Sequence, residues 1–558
     1  MTSELIPEKN NGEIESSDNE LMDKEEKDIS EKPQEDTEKI ENIAENEVSD
    51  LPVANVVGMV NTPTAVYVEA SKDFSKKEII MSLVTFVLGF LFMHLLIKHT
   101  AGYFTTVLFI VTLIAGSCYM KKKRHKFSSL HIAIFFVLIL FSGVYSITSN
   151  HFVKGLNTAF LVVGITYLFY LLGDGQNKIG RFLPFEIIKS TIEYPFINFS
   201  KQMRAIGSAT KKTRSGAIIR TVVIGLLLAV PITCVVGALL MSADSGVEKF
   251  MVNIINSLSL ENIFILGFEL LFSIPIGCCM FSTIYTNTHV EERRKLVEQE
   301  CEVQLDKCRK IQNAILYITI TPICLLYVVF FISQISYFTS AFLGNLPDHY
   351  SYSAYARKGF FELLAIEIIN IMVIAFINIF AKKSGKKKPI TLKIYSVVIS
   401  FFTMVIIATA ISKMVMYINA YGLTQLRVYT TWFMILTAII FVLIVIKQFK
   451  FNLKFTKWVT GVFAVMFLVL CFSRPDAIIS RYNLTYHSSD MDRNDIYEMI
   501  NMSDDSAAVV LEPQYAYLFE GDSRAFYLKE FMSEYKKDPY KSFNISAYKI
   551  SREFYRME

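Results

Sequence analysis

The sequence predicts an all-α integral membrane protein that crosses the bilayer about eleven times. Hydrophobic residues occupy 52% of the 558 positions and charged residues only 19%, below the quarter that soluble domains usually carry. The apolar residues are grouped in blocks of about 18–25, the length that a helix needs to cross the hydrocarbon core. The segments between the blocks are alternately rich and poor in Lys and Arg, which is typical of a multi-pass chain.

The N-terminal region is the most polar part of the chain. Residues 1–50 contain many Glu and Asp, few apolar residues and no aromatic residue. Such a segment buries too little apolar surface to offset the entropy lost on folding, so we predict a disordered acidic tail on the cytoplasmic side. Residues 51–78 are mildly apolar and form a linker to the first span.

Eleven apolar blocks follow and define a transmembrane domain over residues 79–473. The seventh block is long enough to lie tilted in the membrane, and the eleventh is short. The predicted spans are 79–98, 101–120, 128–148, 156–173, 217–241, 262–284, 312–339, 359–381, 393–416, 426–446 and 458–473.

The charges in the connecting segments predict the orientation of the chain. Lys and Arg are concentrated in alternate loops, such as KKKRHK at 121–126 and KKSGKKK at 382–388, whereas the other loops contain few cations. The positive-inside rule assigns the basic loops to the cytoplasm. The N-terminus is therefore expected inside and the C-terminal segment, 474–558, outside a multi-pass protein of the plasma membrane.

Three segments outside the spans are expected to form helices. Residues 174–216 place Phe and Ile at helical spacing among cations, which favours an amphipathic helix on the membrane surface. Residues 288–311 predict a charged helix that extends a neighbouring span. The external segment contains helical patches that include 493–500 and 525–537.

Motifs of soluble enzymes are missing from the sequence. GDGQNKIG at 173–180 lacks both the dinucleotide-binding spacing and the Gly-Lys-Ser/Thr of a phosphate loop. The histidines are scattered, and the cysteines have no zinc-ligand spacing. We therefore expect no cofactor, no metal site and no nucleic-acid partner, and an enzymatic role is not favoured. A lipid-modifying membrane enzyme would need clustered catalytic groups that the sequence does not show.

Polar and charged residues at membrane depth are the main functional signal. Charged groups are costly in hydrocarbon and usually face a bundle interior or a cavity. In the predicted topology the candidates all lie in the outer half of the membrane or at its outer edge. They are Glu269, Arg357, Glu362, Glu367, Asn370, Lys413 and Arg427.

The eighth span carries a polar stripe. Glu367, the deepest of these charges, lies three residues from Asn370, and Asn378 returns to the same helical face. Prolines that could kink the neighbouring helices lie in the fifth, sixth and seventh spans, at Pro231, Pro275 and Pro322. These features favour an outward-facing polar cavity formed by spans six, eight, nine and ten, in which Glu367 and Glu269 bind a cation or a proton.

A structural role explains the same residues equally well, so both interpretations stay open here. Glu362 would cap the start of its helix, and Lys413 would extend towards the membrane interface. Glu269 or Glu367 would form an ion pair with Lys413 or Arg427 and hold helices together.

Three stretches resemble a known family. YARKGFFEL at 355–363, YGLTQLRVY at 421–429 and RPDAIISRYNL at 474–484 resemble a bacterial polytopic membrane family catalogued as domain of unknown function 4173, which is related to family 4153. The resemblance covers about residues 80–520. It implies a membrane location, indicates no activity, and makes three of the candidates part of the family's shared sequence: Arg357, Glu362 and Arg427.

Two functions are compatible with these observations. The first is a transporter-like or channel-like protein that binds an ion or a proton. The alternative is a non-transporting envelope sensor or assembly protein, whose external or cytoplasmic segments engage a protein partner. Membrane lipid is an expected partner in both cases.

Overall fold

The computed structural model is helical in almost every part of the chain that it describes. Those residues include one isolated parallel bridge, between Ile311 and Ala381. The predicted tail and the linker up to residue 73 lie outside them. The described residues are 74–98, 101–121, 127–174, 177–211, 214–244, 246–247, 249, 260–289, 293–309, 311–333, 335, 360–382, 389–450, 452–537 and 543–558.

We number the principal α-helices in chain order. A π-helical segment, Met93–Lys98, extends the first, and another, Lys189–Glu193, joins the fifth and sixth. The helices are α1 Lys76–Phe92, α2 Tyr103–Lys121, α3 Ser129–Ser142, α4 His151–Asp174, α5 Leu183–Ile188, α6 Tyr194–Ile197, α7 Lys201–Lys211, α8 Arg214–Ala243, α9 Leu260–His289, α10 Arg293–Cys308, α11 Asn313–Ser333, α12 Phe360–Phe380, α13 Ile390–Tyr421, α14 Gln425–Phe449, α15 Phe455–Phe472, α16 Pro475–Tyr486, α17 Arg493–Met502, α18 Asp504–Val510, α19 Ser523–Lys537 and α20 Ile545–Met557.

Short polar side chains begin several of these helices. The Ser75 hydroxyl accepts from the backbone N–H of Glu78, and the Glu78 carboxylate accepts from the backbone N–H of Ser75, which forms a capping box at α1. The Asn544 side chain accepts from two backbone N–H groups at the start of α20. These contacts satisfy N–H groups that have no partner within the helix.

Ten described helices are long and apolar enough to cross a membrane. They coincide with ten of the eleven predicted spans. The remaining predicted span, 217–241, falls within α8, where many side chains lie outside the described residues. The structure therefore confirms the all-helical class and supports a multi-pass membrane protein, whereas the eleventh span and the orientation of the termini stay predictions.

The first helical group comprises α1–α4, α9 and α15. Leu113, Phe141, Leu168 and Phe467 are among the residues buried at its centre. Helices α1 and α9 approach closely at Gly89 and Gly277. A Cβ atom added at Gly89 would lie 2.7 Å from the backbone nitrogen of Gly277. Small residues permit such close backbone approach between membrane helices.

The second helical group comprises α11–α14. Its buried centre includes Ile320, Ile377, Ile399 and Phe441. Helix α14 also contacts α15 of the first group, where the Trp432 indole N–H donates to the carbonyl oxygen of Met466 at 2.8 Å. The two groups are thus joined through α14 and α15.

The C-terminal cap, residues 475–558, contains α16–α20. Buried residues of α18, α19 and α20 form one of its cores, and buried residues of α16, α17 and α18 form a second. The helical patches expected at 493–500 and 525–537 coincide with α17 and α19. Hydrogen bonds described below attach the cap to the first helical group.

Within the segment between α4 and α8, residues 183–197 form one continuous helical run with a polar and an apolar side, and a turn at 198–200 separates this run from α7. The inner side of the run is polar: the Tyr167 hydroxyl donates to Glu186 at 2.9 Å, and Lys189 pairs with Glu300 of α10 at 2.9 Å. The charged helix expected at 288–311 appears as α10. Exposed apolar side chains follow one another along the outer side of the segment: Phe185, Ile188, Ile192 and Phe196. The membrane-surface location stays a prediction.

Candidate functional site

Glu367 is buried inside the second helical group. Its side chain on α12 is only 2% exposed. The Thr437 hydroxyl on α14 is its hydrogen-bond partner. The other carboxyl oxygen, Oε1, has no hydrogen-bond partner among the residues that the structure describes. The structure therefore places a carboxyl group with unfilled hydrogen-bonding capacity between membrane-spanning helices.

Asn370, one turn along α12, links three helices. The Tyr327 hydroxyl on α11 donates to Asn370 Oδ1 at 2.5 Å, and Asn370 Nδ2 donates to Thr403 Oγ1 on α13 at 2.9 Å. Asn378, the third residue of the predicted stripe, donates to the carbonyl oxygen of Ile374 in its own helix. The buried part of the stripe thus consists of Glu367 and Asn370.

Glu269 belongs to a different part of the molecule. It lies on α9 in the first helical group, where its Oε2 is 2.9 Å from Nδ1 of His94. The structure does not bring Glu269 and Glu367 into one cavity, although the sequence predicts similar depths for both. Depth follows from position along a helix, whereas lateral position depends on which helices pack together.

Arg427 closes the turn between α13 and α14. Its guanidinium donates to the carbonyl oxygens of Tyr421, at 2.9 Å, and Gly422, and lies 4.0 Å from the ring centroid of Tyr417. Gly422 has a φ of 72°, and a Cβ atom there would lie 2.5 Å from Asn483 Oδ1, so glycine is required. Among the described residues Arg427 forms no ion pair with a carboxylate, so the structure does not show the predicted pairing of Arg427 with Glu269 or Glu367.

The remaining candidates are not gathered around Glu367. Glu362 is exposed in the first turn of α12, and Lys413 is half-buried on α13. Arg357 lies outside the described residues. The predicted set therefore separates into the Glu367–Asn370 site, the Glu269–His94 pair and the Arg427 turn.

Sequence reasoning did not predict a second buried polar site, at the base of the C-terminal cap. Asp505 on α18 is fully buried. It accepts from the Ser149 backbone N–H at 3.0 Å and from Nε of Arg474 at 3.1 Å. The hydroxyls of Thr148 and Ser546 also donate to it. Hydrogen bonds to a carboxylate are stronger than those between neutral groups, so Asp505 is a strong attachment point for the cap.

Asp476 is the second aspartate of this site and is also fully buried. It accepts from the side chains of Asn150 and Gln425, both at 2.8 Å, and from the Ser503 hydroxyl at 2.7 Å. Burial raises the pKa of Asp476, and these three hydrogen bonds oppose that change. Asn150 also donates to the Tyr429 hydroxyl at 2.7 Å.

We call these two aspartates and their partners the cap junction. It connects the loop before α4, the start of α14 and the cap. Arg474, at the entry to the cap, has a φ of 53°, a left-handed conformation that is costly for a residue with a side chain. Its contact with Asp505 helps to hold this conformation.

Part of the cap junction was visible in the sequence. Gln425 and Tyr429 lie in the resemblance stretch 421–429, and Arg474 and Asp476 lie in 474–484. Their partners at 148–150 occupy an uncharged loop that no periodicity distinguishes. The stretches thus indicated important positions, but only the structure shows what they contact.

Two open cavities adjoin the cap junction. One, of about 950 Å³, lies between the α13–α14 turn and helices α16 and α17. The other, of about 620 Å³, lies between the start of α4 and helices α18 and α19. Within the described part of the chain, no group of three or more His, Cys, Asp or Glu side chains is arranged to hold a metal ion.

Comparison with known proteins identifies a family. No curated protein and no solved structure matches the chain. The model of a domain of unknown function, DUF4153, matches residues 135–512, which is more than half of the chain. The match runs from α3 through the second helical group and into the cap, so it includes Glu367, Asp476 and Asp505. The chain therefore belongs to the DUF4153 family, which is defined by a domain of unknown function.

Proposed function

We propose that this protein is transporter-like or channel-like and binds a proton or a small cation at Glu367. The observation that carries the proposal is the burial of this carboxyl group, with Oε1 lacking a hydrogen-bond partner in the described part of the chain. An ionised carboxylate in this position is costly unless a cation or a proton compensates its charge. Exchange of that cation or proton would give the site two states.

The neighbouring polar groups support this proposal. Thr437 contacts Glu367 from α14, and Asn370 connects α12 to Tyr327 on α11 and Thr403 on α13. All four helices of the second group therefore contribute a polar side chain near the same level. Polar side chains in membrane helices often mark the path of an ion or a proton.

The proposal extends to the setting of the site. It places the protein in the plasma membrane, with Glu367 nearer the outer face and the cap outside. It also includes a relationship to domain of unknown function 4173, based on the stretches at 355–363 and 421–429. Neither an enzymatic step nor a cofactor is required.

The test compares Glu367→Gln with Glu362→Gln, which alters an exposed carboxylate on the same helix. The melting temperature of each purified protein is measured from about pH 5 to 8 and with Na⁺, K⁺, Mg²⁺ and Ca²⁺. A ligand that binds only the folded state increases the free energy of unfolding, by about 2.7 kcal/mol at a concentration of 100 times its Kd, and so raises the melting temperature. We expect a pH or cation response in wild type and Glu362→Gln that disappears in Glu367→Gln. Equal responses in wild type and Glu367→Gln would refute the proposal.

The alternative is a non-transporting envelope sensor or assembly protein. The observation in its favour is the cap, which has its own hydrophobic cores and is attached through buried aspartates. Such a cap offers a rigid external surface to a protein partner. If proteoliposomes show no Glu367-dependent ion or proton flux while deletion of residues 475–558 abolishes the cellular phenotype, the alternative is preferred.

A further inference from the structure

We propose that the cavity between the start of α4 and the cap binds a small zwitterionic solute of amino-acid or dipeptide size. This inference goes beyond the function proposed for Glu367 and does not depend on it. The cavity has a volume of about 620 Å³, within the range of about 300–1,000 Å³ that is usual for small-molecule sites.

One wall of the cavity is acidic and aromatic. Glu530 and Glu534 lie one turn apart on α19, and both line the cavity. Tyr527 and Tyr535 lie on the same face of α19 and also line it. Carboxylates beside aromatic rings favour an ammonium group, through ion pairing and cation–π attraction.

The opposite wall offers a cation and hydrogen-bond donors. Lys154 on α4 is only 6% exposed, and its ammonium group donates to the carbonyl oxygen of Ala101. An ammonium has three donors, and Lys154 lines the cavity. His151 and Ser149 line the cavity beside it. This wall is suited to a carboxylate.

A third carboxylate, that of Asp504, also lines the cavity and interacts electrostatically with Lys154. Asp504 Oδ2 accepts from Asn544 Nδ2 at 2.9 Å. The carboxylate of Asp504 partly balances the charge of Lys154, whereas Glu530 and Glu534 remain exposed to solvent. A ligand with one ammonium and one carboxylate complements these two walls better than a simple cation or anion does.

The remaining lining is mixed: Asn501, Ser503 and Asn544 are polar, and an apolar patch limits the size of the ligand side chain. The patch includes Ala507, Leu511, Phe531 and Ala547. A cavity that combines apolar surface with a few convergent charged groups is the usual form of a solute site. Small and medium apolar side chains should therefore fit.

The experiment measures binding to the full-length purified protein by isothermal titration calorimetry. The probes are the free proteinogenic amino acids and alanyl-alanine. For each probe that binds, the matched amine without the carboxylate and the N-acetylated form without the ammonium are also measured. We expect removal of either charged group to weaken binding by about tenfold or more, the effect of losing one charge-assisted contact.

Substitutions at exposed positions identify the site without disturbing the fold. Glu530→Gln combined with Glu534→Gln should weaken binding by about tenfold or more. Glu498→Gln, an exposed position that lines the other cavity, should leave the affinity unchanged.

Three results would overturn the proposal. One is that no probe binds at a concentration of about 10 mM, ten times a Kd of about 1 mM at the weak end of solute affinities. Another is equal binding by wild type and the Glu530→Gln, Glu534→Gln double variant. The third is equal binding by a zwitterion and its amine without the carboxylate, since the Lys154 wall would then make no contribution.

Discussion

Replacement of Asp505 by alanine should release the cap from the membrane domain. The Asp505 carboxylate is fully buried and accepts hydrogen bonds from the backbone N–H of Ser149, the guanidinium of Arg474 and the hydroxyls of Thr148 and Ser546. Removal of one member of a buried ion pair costs about 3–5 kcal/mol, because the other charge is left uncompensated. Since about 1.4 kcal/mol corresponds to a tenfold change in an equilibrium constant, the population with an undocked cap should increase roughly 150-fold to several thousand-fold.

The assay is limited proteolysis of the cap in detergent or in nanodiscs, under conditions where the cleavage rate reports the undocked population. Asp505→Ala should be cleaved within the cap far faster than wild type. Asp505→Asn keeps the shape of the side chain but removes the charge opposite Arg474, so its effect should be intermediate. Asp490→Ala, an exposed position of the same cap, should change the stability by less than about 0.5 kcal/mol.

A cleavage rate for Asp505→Ala within about twofold of wild type would refute this reasoning, because about 0.4 kcal/mol is far below the cost of an unpaired buried charge. It would mean that the hydrophobic contacts of the cap suffice and that the cap junction contributes little to docking.

Two further predictions concern helix packing and pH. Gly89→Ala places a Cβ atom 2.7 Å from the Gly277 nitrogen, so the melting temperature should fall by the equivalent of about 1–3 kcal/mol. Gly155→Ala, where a Cβ atom meets nothing within 4 Å, should be neutral or slightly stabilising, and equal losses in both variants would contradict the packing argument. Burial raises the pKa of Asp504. Its hydrogen bond from Asn544 and the charges of Lys154 and His151 act in the opposite direction. The folded state therefore holds a proton that the unfolded chain releases, and this contribution to stability is lost as the pH rises from the ordinary aspartate range through the raised pKa. The melting temperature of Asp504→Asn relative to wild type should increase from pH 4 to pH 7, and a difference independent of pH would refute the assignment.

The sequence predicts the helices well because length and hydropathy are local properties. The ten described spans lie where apolar blocks of sufficient length occur, and helical periodicity places Glu367 and Asn370 on one face, which the structure buries. The same periodicity does not place a helix relative to others. The amphipathic segment before α8 contains a turn at 198–200 that the periodicity does not predict, between the helical run 183–197 and α7.

The sequence by itself therefore determines the all-helical class, the position of most spans and the identity of the buried carboxyl on α12. Only the tertiary structure decides the partners of the polar groups. Glu269 contacts His94 of a distant helix, and Arg427 contacts carbonyl oxygens of the preceding turn. Asp505 contacts Thr148, 357 positions earlier in the chain. The physical reason is that a residue's depth and helical face follow from its own helix, whereas its partners depend on long-range packing that brings remote segments together.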